Sequence, residues 1–171
     1  MTEDPRQVLV AGVGNIFLGD DGFGVEVANR LSGVPMPEGV HVADFGIRGV
    51  HLAYELLEGY DALVLIDALP MAEAPGTVAV IEPDMAALTP RGPDVAPAMD
   101  AHSMNPGVVL GMLAGLGGTL DVIRVVGCEP ATLEDGIGLS GPVAAAVDDA
   151  VTVVKQVVNE ICGTAEKGAR T

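Results

Sequence analysis

The chain has 171 residues, of which 49% are apolar and 19% charged, and the 24 Asp and Glu outnumber the 8 Lys and Arg for a net charge of −16. This composition is typical of a single globular domain with a sizeable core, and so acidic a surface repels phosphate backbones, which excludes nucleic acid as a partner. The longest uncharged apolar run, 107–120, is broken by glycine and falls short of the ~20 residues that cross a bilayer. The N-terminus, MTEDPRQ, lacks the apolar core of a secretory signal. We therefore expect a cytoplasmic protein without a membrane partner, with one domain over residues 1–163 and a flexible tail over 164–171.

Strand-like and helix-like patterns alternate along the chain, which predicts an α/β layer fold. Continuous apolar runs predict strands that are covered on both faces, and apolar residues at helical spacing predict helices. The predicted strands are Val8–Val13, Val40–Phe45, Ala62–Ile66, Thr77–Ile81 and Val122–Val126, and the predicted helices are Gly24–Leu31, His51–Leu57, Asn105–Leu116 and Pro142–Cys162.

The fourth predicted strand differs from the others in its connection. Only residues 68–76 separate it from the third strand, whereas a parallel crossover needs about a dozen residues or more. The fourth strand is therefore expected at an edge of the sheet and antiparallel to its neighbour. The Pro-rich segment 82–100 that follows is predicted to be a long loop, and we regard it as a candidate for substrate selection because it precedes His102.

Three chemistry-bearing residues are predicted to meet at one edge of the sheet. Asp21 follows the turn after the first strand, Asp67 follows the third strand, and His102 stands just before a helix. Ligands of open parallel sheets bind beyond the carboxyl ends of the strands. If the fifth strand is parallel to the first three, the N-terminus of the preceding helix lies at this same edge, so we expect Asp21, Asp67 and His102 to converge there.

The turn GVGNIFLGDDGFG after the first strand looks like part of a dinucleotide-binding motif, but it departs from that motif in two ways. Phe17 stands where the third glycine of GxGxxG belongs, and Asp20 and Asp21 precede the helix. Pyrophosphate requires amide donors and a positive helix end, which two carboxylates oppose. A Rossmann-like nucleotide-binding protein is therefore kept only as an alternative.

Each candidate also has a purely structural explanation. Asp20 is best explained as a helix cap, Asp67 as a carboxylate bonded to loop amides, and His102 as an ordinary residue of a helical first turn. Taken together, however, two carboxylates and one imidazole form an incomplete ligand set that suits a divalent first-row metal. No HExxH helix of a standard metalloprotease is present.

Three further polar residues lie outside this candidate ligand set. His41 and His51 lie within a strand and a helix, where structural roles are expected. Asp44, before the turn FGIRG, either bears on the site or caps the following helix.

Several motifs in order resemble the hydrogenase maturation endopeptidases. They are GNIFLGDDGFG (14–24), DFGIRGVHLAYEL (44–56), LVLIDAL (63–69), the His102-Ser103 pair and VVGCEPATLEDGIGLSGPV (125–143). The resemblance implies a three-layer sandwich with a twisted, mostly parallel five-stranded sheet and helices on both faces. By motif position it implies that Asp21, Asp67 and His102 contact the metal and share in catalysis. Many members of the family have glutamate where this chain has Asp21.

The resemblance also implies the reaction and the metal. Members of the family are proteases, often classed as aspartyl-type, that remove a C-terminal extension from the large-subunit precursor of a nickel–iron hydrogenase after nickel insertion. Nickel is then supplied with the substrate rather than held as a resident cofactor, and other divalent metals are expected to substitute in vitro. Activation of water by Asp21 or Asp67, or polarisation by the metal, both fit the residues. A metal-sensing chaperone that binds the large subunit without cutting it is the alternative from a different class.

Overall fold

A computed structural model describes residues 4–83 and 106–168. Its centre is a five-stranded sheet in the order β2-β1-β3-β5-β4. The strands are β1 (Val8–Val13), β2 (Val40–Gly46), β3 (Ala62–Ala68), β4 (Val78–Ile81) and β5 (Val122–Cys128). Four of them run parallel, and β4 pairs antiparallel with β5 at one edge. The predicted α/β class and the antiparallel edge strand are confirmed.

Helices cover both faces of the sheet because successive strand residues point to opposite sides. The α-helices are α1 (Phe23–Leu31), α2 (Gly49–Leu56), α3 (Pro106–Gly115) and α4 (Gly141–Gly168), and a short 3₁₀ turn, Gly19–Gly22, precedes α1. Val8 and Val10 share one buried cluster with residues of α1 and α4. Leu9 and Ala11 share the other with residues of α2 and α3. The result is a three-layer sandwich.

The last helix is longer than its apolar pattern indicates. The periodicity predicts an end at Cys162, whereas α4 continues to Gly168. Residues 164–167, with the sequence TAEK, include three good helix formers, so the backbone continues as helix without an apolar face to bury. The predicted loop 82–100 lies outside the described residues beyond Pro83.

Within the described ranges, none of the helices combines the length and the apolar character that crossing a membrane requires.

The strand order places a crevice at the carboxyl ends of β1 and β3. From β1 the chain crosses to β2 on one side, whereas from β3 it continues to β4 and β5 on the other. Adjacent parallel strands whose connections leave in opposite directions form the usual ligand crevice of open α/β sheets. Gly24 brings the start of α1 against this point, since a Cβ there would overlap the carbonyl oxygens of Ile66 and Val13.

Candidate active site

Asp67 lies at the carboxyl end of β3 and is partly buried. Its position follows the fully buried run Ala62–Ile66, so the carboxylate emerges where the strand leaves the core. Burial and, after it, the negative charge of Asp21 raise the pKa of Asp67 to about 8, against a smaller lowering by the backbone N–H of Ala68. At neutral pH Asp67 can therefore carry a proton, which makes it suited to proton transfer.

Asp21 lies in the 3₁₀ turn between β1 and α1. Its Oδ2 accepts a hydrogen bond from the backbone N–H of Asn15 at 2.7 Å. Gly14 has φ +135°, and a Cβ at this position would overlap the main-chain carbonyl of Asp21. Only glycine can therefore bring the end of β1 this close to the turn. The turn is held directly against the strand that it follows.

Asp21 and Asp67 are neighbours at one edge of the sheet, since the charge of Asp21 acts on the pKa of Asp67. Two of the three predicted site residues are thus brought together. His102, the third, lies outside the described residues. Among residues 4–83 and 106–168 no group of three or more His, Cys, Asp or Glu is arranged to hold a metal ion.

Asp20 does not cap a helix, and the predicted role is wrong. Neither the 3₁₀ turn nor α1 has a side-chain cap. Asp20 is instead fully buried, and its carboxylate accepts hydrogen bonds from the segment that follows β5. The donors are the backbone N–H groups of Ala131 (2.8 Å), Thr132 (3.1 Å) and Ser140 (2.7 Å) and the hydroxyl of Ser140 (2.8 Å). Burial alone would raise the pKa of Asp20, but these hydrogen bonds together outweigh it and lower the pKa below its usual value.

Backbone hydrogen bonds reinforce the attachment of segment 129–140 to the turn. Gly19 N–H donates to Gly136 O at 2.9 Å, and Gly136 N–H donates to Phe17 O at 2.8 Å. Asp20 N–H donates to Thr132 O at 3.0 Å. The loop after β5 and the turn that carries Asp21 therefore form one hydrogen-bonded unit. Sequence reasoning missed this unit; the one available signal was the resemblance motif at 125–143, which includes the whole segment.

Asp44 also differs from its predicted capping role. Its Oδ1 accepts a hydrogen bond from the N–H of Gly46 at 2.8 Å, which stabilises the turn after β2, and α2 has no side-chain cap. Asp44 lines a cavity beside the Asp21 turn. His41 and His51 are both exposed. His41 makes an edge-to-face contact with Tyr60, with the ring centroids 5.9 Å apart, which agrees with the structural role predicted for it.

A protein-family model described as "Hydrogenase maturation protease" matches residues 25–157 of this chain. The match includes Asp67 and position 102 and begins after Asp21. The chain is 32% identical over 151 residues to a putative hydrogenase maturation protease of Methanocaldococcus jannaschii, covering 87% of this chain and 94% of the relative. It is 30% identical over 157 residues to the hydrogenase 2 maturation protease of Escherichia coli, covering 90% and 92% of the two chains.

Solved structures show the same similarity in three dimensions. The hydrogenase maturating endopeptidase HybD of E. coli matches with a TM-score of 0.71 at 28% sequence identity, covering 91% of this chain and 93% of that one. A hydrogenase 2 maturation peptidase from a Thaumarchaeota archaeon matches with a TM-score of 0.68, also at 28% identity, over 90% and 99% of the two chains.

Proposed function

Since the chain belongs to the hydrogenase maturation protease family, we propose that it is an endopeptidase that removes the C-terminal extension from the nickel-loaded precursor of a nickel–iron hydrogenase large subunit. The observation that carries the proposal is the pair Asp21 and Asp67 at the carboxyl edge of β1 and β3, where burial and mutual repulsion raise the pKa of Asp67 to about 8. An aspartyl-type protease needs such a pair, one member of which accepts a proton while the other donates one.

The same pair is suited to a cation that arrives with the substrate. Two neighbouring carboxylates repel each other, and a bound cation between them removes the repulsion and lowers the pKa of Asp67. Carboxylate oxygens, with an imidazole at position 102, are ligands that a divalent first-row metal accepts. We propose that Asp21, Asp67 and His102 recognise nickel as a feature of the precursor, so that only a loaded precursor is cut.

Both routes of water activation remain compatible with this arrangement. Asp67 holds a proton at neutral pH because its pKa is raised to about 8, so it is a candidate for taking the proton from the attacking water once the cation of the precursor has lowered that pKa. Asp21 is held by the Asn15 N–H and is the candidate for a fixed ligand. The alternative is that the nickel of the precursor polarises the scissile carbonyl, with both carboxylates acting only as ligands.

The proposal is tested by incubating the protein with a nickel-loaded and a nickel-free precursor and following the mass of the large subunit. We expect the extension to be released from the loaded precursor alone. Loss of a general acid–base group costs about 10²–10⁴-fold in rate, so Asp67→Asn should lose at least 100-fold, and Asp21→Asn and His102→Ala should lose cleavage of the loaded precursor. The exposed Asp148→Asn, far along the chain on α4, is the matched control.

Three results would contradict the proposal. An intact precursor in a stable stoichiometric complex would identify a non-cleaving chaperone instead. Equal cleavage of loaded and nickel-free precursor would show that the protein does not recognise nickel. Normal cleavage by any one of the three site variants would remove that residue from the site.

A further inference from the structure

A cavity of about 330 Å³ lies between the turn after β1 and the turn after β2. Its size is at the lower end of the range of about 300–1,000 Å³ in which proteins bind small ligands. The lining residues are Gly14, Asn15, Ile16, Phe17, Val25, Asp44, Gly46, Ile47 and Arg48. Because β2 is an edge strand of the sheet, the cavity lies toward that edge.

Each polar side chain that lines the cavity makes at least one hydrogen bond to a local backbone group. Asn15 Oδ1 accepts from Phe17 N–H at 2.9 Å, and Asp44 Oδ1 accepts from Gly46 N–H at 2.8 Å. The Arg48 guanidinium donates to the carbonyl oxygens of Phe45 at 3.2 Å and Asp44 at 2.7 Å. The surface of the cavity that a ligand would contact is mainly carbon.

That carbon surface is unusually exposed. Ile16, Phe17 and Ile47 are 45%, 59% and 53% exposed, and Val25 forms a buried wall beside them. Aliphatic and aromatic side chains that are exposed together around a concavity mark a binding surface, whereas scattered ones do not. Removing this surface from water favours a complex.

The cavity adjoins the candidate active site through two of its lining residues. Asn15 lines it, and the backbone N–H of the same residue donates to Asp21 at 2.7 Å. Gly14 also lines it and packs against the main chain of Asp21. A ligand in the cavity is therefore separated from the Asp21 carboxylate, where cleavage is proposed, only by the short turn 15–21. An extended polypeptide spans such a separation with few residues.

We propose that this cavity binds an apolar side chain of the polypeptide that is cut, close to the scissile bond, and so selects the substrate. The inference rests on the proposed function, since it assumes that a polypeptide is cleaved beside Asp21. The closeness of the cavity to Asp21 favours a polypeptide as the occupant. Its apolar walls favour an apolar side chain as the part that is bound.

The test narrows the cavity and measures cleavage of a nickel-loaded precursor that the wild-type protein cuts. In Ile47→Phe the larger side chain fills part of the space. In the matched control Val80→Phe the same ring is placed at a residue of similar exposure, 47%, on the opposite edge strand β4. One apolar group in a pocket is worth about 10–200-fold in discrimination. We expect Ile47→Phe to raise KM at least 10-fold with kcat nearly unchanged, and Val80→Phe to match the wild type.

A second set of precursors identifies the occupant. After the cut is mapped by mass, each apolar residue within four positions of it is replaced by Ala. One replacement should raise KM for the wild-type protein by a similar factor and should cost much less with Ile47→Phe, because the two changes remove the same contact.

The outcomes separate the two proposals. If the wild-type protein releases no extension, the proposed function fails and the inference fails with it. If the wild type cleaves but Ile47→Phe and Val80→Phe have equal KM values, the inference alone is overturned. The inference is also overturned if the effects on KM of Ile47→Phe and of every precursor replacement are strictly additive. A change in the oligomeric mass of Ile47→Phe without precursor overturns it as well, because it points to a second copy of the chain as the occupant.

Discussion

Asp20 and Asp21 are adjacent in the sequence but lie in different electrostatic surroundings. Hydrogen-bond donors surround Asp20, whereas a second carboxylate lies near Asp21. Asp20 is fully buried and accepts four hydrogen bonds from Ala131, Thr132 and Ser140. Asp21 is partly buried, accepts one hydrogen bond from Asn15, and lies close enough to Asp67 for its charge to raise the pKa of that residue. The hydrogen bonds between Asp20 and segment 129–140, which we call the anchor, stabilise the turn. The carboxylates of the pair Asp21–Asp67 have fewer donors beside them and are therefore available for proton transfer or metal binding.

The difference shows that burial alone does not decide what a carboxylate does. Asp20 is less accessible to solvent than Asp67, yet its pKa is lowered while that of Asp67 is raised. N–H and O–H donors stabilise the ionised form of Asp20, whereas Asp67 has a backbone N–H and a like charge beside it. The count of donors around a carboxylate therefore separates a structural acid from a candidate catalytic one.

The largest effect on stability is expected from Asp20→Ala. The substitution leaves the partly buried N–H groups of residues 131, 132 and 140 without their acceptor, and each unsatisfied group costs about 1–3 kcal/mol when it is kept from water. We expect the free energy of unfolding to fall by about 3–5 kcal/mol, and the melting temperature of a chain of this size by about 10 °C. Thermal unfolding followed by circular dichroism measures both.

Glu26→Ala is the matched control for Asp20→Ala. Glu26 is an exposed acid on α1, 4.0 Å from Arg30, and such surface pairs contribute about 0–1 kcal/mol. An Asp20→Ala protein that unfolds at the same temperature as Glu26→Ala would show that the anchor does not stabilise the turn.

Asp67→Asn should shift stability in the opposite direction. The amide removes a charge that burial and Asp21 disfavour in the folded state, and one pKa unit corresponds to about 1.4 kcal/mol. We expect the variant to unfold with a free energy about 1–3 kcal/mol higher than the wild type at pH 7, in urea titrations, although its cleavage activity is lost. A decrease in stability would mean that Asp67 is held by favourable contacts, as Asp20 is.

The two regions should also respond to pH in different windows. The pKa of Asp67 is raised in the folded state, so the wild type loses stability relative to Asp67→Asn as pH rises from about 4 to about 8, and the difference is constant above that. The pKa of Asp20 is lowered, so its contribution is fully present above about pH 4 and is lost as pH falls further. Urea titrations of the wild type, Asp67→Asn and Asp20→Ala at pH 3, 5, 7 and 9 check both windows.

Ser140→Ala is expected to have the smallest effect. It removes the hydroxyl donor at 2.8 Å from Asp20 but keeps the Ser140 backbone N–H at 2.7 Å. A hydrogen bond to a charged group contributes about 1.5–3 kcal/mol, so the loss should be roughly half of that for Asp20→Ala, measured in the same urea titration. Equal losses for the two variants would assign the whole anchor to the hydroxyl.

Sequence reasoning succeeded where the signal was local. The apolar runs predicted β1 with its observed bounds, Val8–Val13, and the short connection 68–76 predicted the antiparallel edge strand β4. It also placed Asp21 and Asp67 at one edge of the sheet, because both follow the carboxyl ends of parallel strands. It failed at Asp20, since a cap and a buried anchor require the same residue type at the same place before a helix.

The order of apolar and polar residues along the chain determined the alternation of strands and helices, and with it the edge at which the acids stand. Only the tertiary structure decided which acid is stabilised in its ionised form by hydrogen bonds, because the donors to Asp20 come from residues more than 100 positions later, Ala131 to Ser140. The same holds for the cavity, whose walls come from the ends of β1 and β2 and meet only when the two strands pair. Periodicity acts over a few residues, whereas hydrogen-bond satisfaction of a buried charge depends on whatever the fold brings beside it.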